Sequence, residues 1–198
     1  MRNMLLVSLV ALIGCSAPVM AYEKGDIVFR FGPTLVDPDG DGGLDGTLKV
    51  KSNTQLGVST SYMMTPNIGV AVLAATPFKH DLKVDGEVIG STKHLPPTVT
   101  LQYHFNTGSG LRPYVGAGFN FTRFFTERTS LGKGDLELDD STGIAGELGF
   151  DYAINNKWGF NVGVWYADID TDAKLDGANL GKVEIDPWVY MIGASYQF

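Results

Sequence analysis

The sequence has a single cysteine, fewer basic than acidic residues and, beyond residue 21, no long apolar run. The cysteine is Cys15, and a chain that loses the segment around it can form neither a disulfide nor a thiolate metal site. Fifteen Lys and Arg against 22 Asp and Glu give a formal net charge of −7. This argues against a nucleic-acid partner, which requires a basic surface. The lack of a run of about 18 apolar residues argues against a membrane-spanning helix after residue 21.

The first 21 residues, MRNMLLVSLVALIGCSAPVMA, have the composition of a secretory signal peptide. Arg2 precedes an apolar stretch, and the segment ends on Ala21 in a pattern typical of a cleavage site. An alternative is a lipoprotein signal that is cut before Cys15 and acylated there. We predict a signal peptide over residues 1–21 and a single domain over 22–198.

The rest of the chain is dominated by apolar residues at every second position, which is the period of a β-strand. Eight such stretches occur, at 26–36, 54–64, 68–77, 98–105, 114–121, 143–152, 158–166 and 186–198. Short joins near 65–67, 106–110 and 154–157 alternate with long polar joins near 37–53, 80–93, 128–141 and 171–183. An even strand count with short turns at one end and long loops at the other is typical of an outer-membrane barrel.

The final stretch, DPWVYMIGASYQF, indicates which strand face meets lipid. Every second residue back from Phe198 is apolar or aromatic, whereas the alternate set is small or mixed. The alternative is a soluble β-sandwich or lipocalin-like barrel, which would turn its apolar residues inward. Two features favour the membrane barrel: the small or polar face has too many Gly, Ser, Asn and Gln residues for a well-packed core, and aromatic residues cluster at strand ends on the apolar face. We predict an all-β fold: an eight-stranded antiparallel transmembrane β-barrel with short periplasmic turns and long extracellular loops.

Several stretches resemble the outer-membrane protein W (OmpW) family. They are NTQLGVSTSYMMTPNIGVAVLAATPFKHDL (53–82), HLPPTVTLQYHF (94–105), RPYVGAGFNFTRFF (112–125), VWYADIDT (164–171) and DPWVYMIGASYQF (186–198). The resemblance implies a location in the outer membrane of a Gram-negative bacterium and a narrow, partly apolar lumen. It also implies passive uptake of small hydrophobic molecules, with sideways exit into the membrane as a route.

The inward-facing set of side chains is the candidate lining of that lumen. Its predicted members are Val28, Arg30, Leu73, Gln102, Tyr114, Glu147, Trp165 and Met191. Eight strands leave an interior filled by side chains or wide enough for one small ligand. From the residues alone, a solute path and a plugged barrel without an open pore are equal alternatives, and the resemblance favours the path. Glu147 and Asp151 are expected to pair with Arg30, because buried charges need partners.

The stretch HLPP, where the fourth barrel strand begins, is the candidate lateral opening. Proline has no N–H to donate to a strand ladder, and Pro77 ends the third strand on the other side. We predict an opening between strands three and four, formed by Pro77, His94, Leu95, Pro96 and Pro97. The alternative is an ordinary loop end above the hydrocarbon.

The remaining motifs predict partners but no chemistry. Tyr196 and the terminal Phe198 resemble the signal read by the barrel-assembly machinery, and lipid and lipopolysaccharide would surround the barrel. Asp37, Asp39 and Asp41 begin like a calcium loop, but Leu48 stands where the bidentate Glu belongs. Ser91 and His94 form the one close Ser/His pair, without a third member.

We therefore predict no enzyme, no cofactor and no metal site. The alternative to hydrophobic uptake is a structural or surface-interaction barrel, acting in adhesion or stress response, without an open pore.

Overall fold

The computed structural model describes residues 21–40, 48–84, 87–129 and 136–198. The predicted signal peptide, apart from Ala21, lies outside the described residues. The described strands are β1 Ile27–Pro38, β2 Leu48–Val50, β3 Asn53–Met63, β4 Ile68–Ala75, β5 Phe78–Val84, β6 Glu87–Leu95, β7 Thr98–His104, β8 Leu111–Thr129, β9 Leu136–Leu138, β10 Ser141–Ala153, β11 Trp158–Ala167, β12 Asp170–Leu175, β13 Ala178–Glu184 and β14 Pro187–Gln197. In this part of the chain no helix is long and apolar enough to cross a membrane.

Eight of these strands close into an antiparallel barrel, as the sequence predicts. The order around the wall is β1, β3, β4, β7, β8, β10, β11 and β14, and β14 pairs with β1 to complete the circle. Closure leaves the wall without a free edge, which a barrel in lipid requires, because hydrocarbon offers no partner for an unpaired peptide group. The N–H of Phe198 donates to Ile27 O over 2.9 Å, so the last residue is part of this closing seam.

The barrel is inside-out relative to a soluble one, which confirms the prediction made from its last strand. Leu101 and Ile192 are 56% and 54% exposed on the outer surface, whereas Met191, next to Ile192, is fully buried. Phe29 and Phe150 are half-buried on the same outer face. Most exposed large apolar side chains therefore lie on the outward face, and the enclosed space receives a mixed set in which polar and charged residues accompany Trp165 and Met191.

Glycines on the inward face make room for the two largest inward-pointing aromatic side chains. A Cβ at Gly163 would overlap the Trp165 ring, and one at Gly149 would overlap the Tyr114 hydroxyl. In a narrow barrel, a bulky residue on one strand needs a small residue beside it, because the interior is only wide enough for side chains to fill it. The abundance of Gly on this face is thus a packing requirement.

The long joins contain more strands than the sequence predicts. The join near 80–93 holds the β5–β6 hairpin, and β6 pairs with the outer part of β8. The join near 171–183 holds the β12–β13 hairpin, and β12 also pairs with β9. The expectation of loops fails here because the alternation in β12 is between small and charged residues, with Thr171 and Ala173 inside. A search for large apolar residues at period two misses such a strand.

We call the end of the barrel with the turns at 64–67, 105–110 and 154–157 the short-turn end, and the opposite end the long-loop end. Residues 41–47, 85–86 and 130–135 of the long joins lie outside the described residues. The calcium-like loop is therefore described only in part.

Candidate functional site

The barrel interior divides into two regions of different chemistry. Near the short-turn end lies a polar cluster of eight buried side chains: Tyr22, Arg30, Ser61, Gln102, His104, Tyr114, Asp151 and Asn161. Near the long-loop end lies an apolar cavity bounded chiefly by Val36, Leu73, Ala75, Trp165, Ile169 and Val189. All eight side chains that the sequence predicts as lumen-lining are buried in one or other region or between them. Their role along a solute path stays a prediction.

An ion pair is at the centre of the polar cluster. Arg30 is completely buried, and its Nη2 donates to Asp151 Oδ2 over 2.7 Å while its Nε donates to Asp151 Oδ1 over 3.0 Å. This two-pronged geometry matches the planar fork of a guanidinium to both oxygens of a carboxylate. The pair joins β1 to β10 across the interior, so it crosses the lumen.

Further hydrogen bonds extend from the ion pair to the strands on the other side. Arg30 Nη1 donates to Ser61 Oγ over 2.6 Å, and Ser61 Oγ donates to Gln102 Oε1 over 2.6 Å. His104 Nε2 lies 3.0 Å from the same Gln102 oxygen. Asn161 Nδ2 donates to Asp151 Oδ1 over 3.0 Å. The cluster therefore links β1, β3, β7, β10 and β11.

Tyr22 closes the short-turn end from below. Its hydroxyl donates to Asp151 Oδ2 over 2.9 Å, its ring makes an edge contact with His104, and the Arg112 guanidinium lies over the ring at 4.2 Å. The chain following it is tied to the wall, because Gly25 N–H donates to Met63 O. Tyr22 is the first residue after the predicted cleavage site, so the start of the predicted mature chain fills the mouth of the barrel.

Glu147 differs from the expectation that it shares Arg30 with Asp151. Asp151 does pair with Arg30, but Glu147 instead accepts a hydrogen bond from Thr100 Oγ1. Its other oxygen, Oε2, is buried and has no hydrogen-bond partner among the described residues. The spacing of the two carboxylates on one strand could not show that only the one nearer the short-turn end reaches the guanidinium.

The apolar cavity lies on the long-loop side of the Trp165 indole, whereas the polar cluster lies on its short-turn side. Its volume is about 20 Å³, which is room for about one water molecule. Thr34, Thr98 and Asn120 contribute the polar atoms at its wall, and the other lining side chains are apolar or proline. A hydrocarbon chain would fit only if some of these side chains moved apart.

The wall beside the cavity contains an incompletely paired seam. The ladder between β4 and β7 ends at Leu73 and Thr98, and the cavity is lined by Ala74 and Ala75 on one side of the seam and by Pro96 on the other. Pairing resumes beyond the interruption, because β5, which follows β4, pairs with β6, which precedes β7, from Phe78 opposite His94 onward. We call this interruption the β4–β7 seam.

The five residues predicted for a lateral opening occupy different positions around this seam. Pro77 is exposed just after β4, and Pro96 and Pro97 are half-buried between β6 and β7. His94 and Leu95 belong to the end of β6, opposite Phe124 and Arg123 of β8. Their side chains, and that of Ser91, lie outside the described part of the chain.

At the rim of the long-loop end, three carboxylates come together that sequence analysis does not single out. Ligand oxygens of Asp168, Asp170 and Asp186 lie within 4.8 Å of one another, a spacing that could hold a cation. Two already have partners: Lys182 Nζ is 2.6 Å from Asp170 Oδ2, and Asp186 Oδ1 accepts the N–H of Ile169. The hydrogen bond to Asp170 raises the pKa of Lys182 above its ordinary value.

Sequence reasoning also missed several residues that organise the interior. Tyr22 precedes the first strand and so falls outside any periodic pattern, although a lone aromatic between the cleavage site and the barrel was a usable signal. Period two also places Ser61 and Asn120 on the inward face, but their partners Arg30 and Pro96 are 31 and 24 positions away. Period two gives the face of a residue and not its neighbours across the lumen.

Comparisons with known proteins agree with this architecture. The model of the OmpW family matches residues 23–198. The chain is 46% identical to outer membrane protein W of Vibrio cholerae, over 92% of this chain and 93% of that protein. The crystal structure of OprG from Pseudomonas aeruginosa superposes with a TM-score of 0.80 at 41% identity, covering 90% of this chain and 98% of that one. The structure of outer membrane protein AlkL in lipid bilayers superposes with a TM-score of 0.68 at 26% identity, covering 93% and 95%.

Proposed function

Since this chain belongs to the OmpW family and resides in the outer membrane of a Gram-negative bacterium, we propose that it mediates passive uptake of small hydrophobic molecules. The solute enters from the long-loop end, occupies the apolar cavity and leaves sideways through the β4–β7 seam into the membrane. The protein supplies a path and no driving force, and the proposal includes no catalytic step.

The observation that carries the proposal is the position of the cavity against the seam. Ala74 and Ala75 on β4 and Pro96 before β7 are at once the edges of the seam and part of the cavity lining. A solute that leaves sideways therefore passes between two strand edges that share no ladder hydrogen bonds at this point. Passage lengthwise would require an apolar solute to disrupt the Arg30–Asp151 pair, which is costly because a separated buried charge loses its compensation.

The size of the cavity defines what must change during uptake. With about 20 Å³ of space, the cavity holds no hydrocarbon chain in this conformation. Protein interiors accommodate extra volume only by displacing side chains. Trp165 and Ile169 line the cavity, and Ile169 also packs against Ala173 and Val183 of the β12–β13 hairpin. We propose that the solute wedges the cavity open, so a slender molecule passes more readily than a bulky one.

The surface features support further proposals about partners. Lipopolysaccharide is the proposed neighbour of the long-loop end, where the charged β12–β13 hairpin lies. Tyr196 and Phe198 are proposed as the signal for the barrel-assembly machinery; their rings lie 4.6 Å apart on the last strand, and Phe198 is 70% exposed. Residues 1–21 are proposed as the signal peptide that brings the chain to this route.

The experiment that tests the proposal restores an N–H donor at the seam. Pro96→Ala with Pro97→Ala supplies that donor at position 96, because Pro97 faces β8, where its carbonyl accepts from Phe121 N–H. The variant is expected to extend pairing between β4 and β7 and to slow uptake of radiolabelled n-decane into proteoliposomes. Pro187→Ala is the matched control, because Pro187 also lines the cavity but lies at the start of β14, away from the seam. Unchanged uptake in a correctly inserted double variant would remove the lateral route.

The alternative, a surface-interaction barrel without an open pore, predicts a different result. Wild-type protein would then give no more n-decane uptake than protein-free liposomes, and a deletion strain would lose adhesion without losing growth on a poorly soluble hydrocarbon.

A further inference from the structure

The direction of the peptide groups along β4 and β7 shows which residues would be hydrogen-bonded if the β4–β7 ladder continued past Leu73 and Thr98. His104 N–H donates to Asn67 O over 2.7 Å, and hydrogen-bonded pairs in an antiparallel ladder recur at every second residue. The register that pairs Leu73 with Thr98 would next place Ala75 opposite Pro96 as a hydrogen-bonded pair. On β4, Thr76 N–H donates to Leu56 O of β3, so Ala75, its neighbour, directs its peptide groups toward β7.

Pro96 can form only one of the two hydrogen bonds of such a pair. It has no N–H, but its carbonyl could still accept from the Ala75 N–H. The structure directs that carbonyl elsewhere: it accepts from Asn120 Nδ2 at 3.3 Å and from Thr98 Oγ1 at 3.3 Å. Both donors are side chains on the inward faces of β8 and β7, so the carbonyl is turned toward the lumen and away from β4.

Asn120 is held firmly in the position from which it does this. It is 1% exposed, and its Nδ2 also lies 2.9 Å from Thr98 Oγ1 and 3.5 Å from Pro97 O. Its Oδ1 accepts from Thr122 Oγ1 over 2.6 Å, which fixes the amide so that the NH₂ group faces the prolines. A buried amide whose donors are all directed to one short backbone segment determines the conformation of that segment.

We propose that Asn120 is the positioning residue of the lateral opening: with Thr98, it holds the Pro96 carbonyl inward and so prevents the last hydrogen bond that could close the β4–β7 seam. The assignment rests on the proposed function for its role in uptake, but the hydrogen-bonding claim stands on the geometry alone. It also explains how a gap persists in lipid, where an uncovered carbonyl would be costly.

Loss of the amide should therefore close the seam. In Asn120→Ala the Pro96 carbonyl loses its principal donor and becomes free to accept from Ala75 N–H. A barrel variant with one more hydrogen bond across the seam has a narrower exit, so uptake should fall although no lining residue has become larger. A purely structural role for Asn120 would instead loosen this part of the wall.

The test measures both the pairing and the transport. Amide hydrogen exchange of Ala75, followed by NMR in lipid nanodiscs, should slow in Asn120→Ala by about two- to tenfold, the factor that one hydrogen bond contributes. Uptake of radiolabelled n-decane into proteoliposomes should fall several-fold in the same variant. Thr98→Val, which removes the second donor with little change of shape, should shift both readouts in the same direction and replaces Asn120→Ala if that variant does not fold.

Thr122→Val removes the bond that fixes the Asn120 amide and should slow Ala75 exchange by a smaller factor than Asn120→Ala. The control is Ser59→Ala, which removes a buried hydroxyl that has no hydrogen-bond partner among the described residues and should leave Ala75 exchange near the wild-type value. Unchanged or faster exchange of Ala75 in Asn120→Ala and Thr98→Val overturns the inference, as does slower exchange with unchanged uptake. If wild-type protein takes up no n-decane, the proposed function fails, and slower Ala75 exchange in the variants still establishes the role of Asn120 at the seam.

Discussion

The two halves of the barrel interior use opposite means to fill the same width. In the short-turn half, Arg30, Asp151 and their neighbours meet across the lumen through short hydrogen bonds. In the long-loop half, Leu73, Trp165 and Val189 meet through apolar contact alone, and a small cavity remains between them. The difference lies in how specific each contact is, because hydrogen bonds fix partners and angles, whereas apolar contacts are non-directional.

This contrast indicates which half can open. Separating a buried ion pair leaves uncompensated charge and is strongly unfavourable. Separating apolar side chains to admit an apolar solute exchanges one apolar contact for another. The same closed wall therefore encloses a rigid seal at one end and an adaptable space at the other, and the incompletely paired seam lies beside the adaptable space.

The largest expected effect comes from removing the ion pair of the polar cluster. Arg30→Met leaves Asp151 buried without its partner and should lower the free energy of unfolding in lipid vesicles by about 3–5 kcal/mol. The double variant Arg30→Met with Asp151→Leu should recover much of that loss. A single variant as stable as wild type would show that the pair does not hold the short-turn half together.

An enlargement of the cavity should act in the opposite way on function. Leu73→Ala removes a buried side chain that lines the cavity and should cost about 2 kcal/mol of stability or more, while n-decane uptake becomes faster. Val28→Ala, a truncation in the short-turn half, is the comparison and should destabilise without faster uptake. If both variants sped uptake equally, the two halves would not differ as described.

A smaller effect is expected from the residue that closes the mouth. Tyr22→Phe keeps the ring against His104 and Arg112 and removes only the hydroxyl that donates to Asp151. Hydrogen bonds to charged groups contribute about 1.5–3 kcal/mol, so urea unfolding should shift by that amount or somewhat less. Tyr62→Phe on the lipid-facing surface is the control and should show little change.

The smallest effect is expected at a buried residue that makes no hydrogen bond to the polar cluster. Ser59 is buried, but its Oγ has no hydrogen-bond partner among the described residues. Ser59→Ala should therefore change the free energy of unfolding by less than about 1 kcal/mol, with stabilisation as the expected sign. A clear loss of stability would mean that the hydroxyl takes part in the polar cluster.

The fold was largely predictable from the sequence, because period two and alternating join lengths are local properties. The same pattern gave the inward face of all eight predicted lining residues, since successive strand residues point to opposite sides. It could not separate the polar cluster from the apolar cavity, because that depends on which strands face each other across the lumen. Arg30 is 121 positions from Asp151, and no local pattern links them.

The seam was predictable only in outline. The two prolines and their missing N–H groups could be read directly, and they indicated weak pairing between the third and fourth barrel strands. The role of Asn120 could not, because its partners are backbone carbonyls more than 20 positions away. The strands within the long joins were missed for another reason: they alternate small with charged residues and resemble loops in composition.

The most direct test of the account is residue-level photolabelling with an alkyl diazirine in proteoliposomes. Outward residues such as Val72 will be labelled from the lipid in any case, so the inward residues carry the information. We predict adducts on Leu73 and Trp165 in the long-loop half and none on Tyr114, His104 or Tyr22 in the short-turn half. Adducts on those three residues, or none on any inward residue, would contradict an apolar cavity that is open sideways and sealed below.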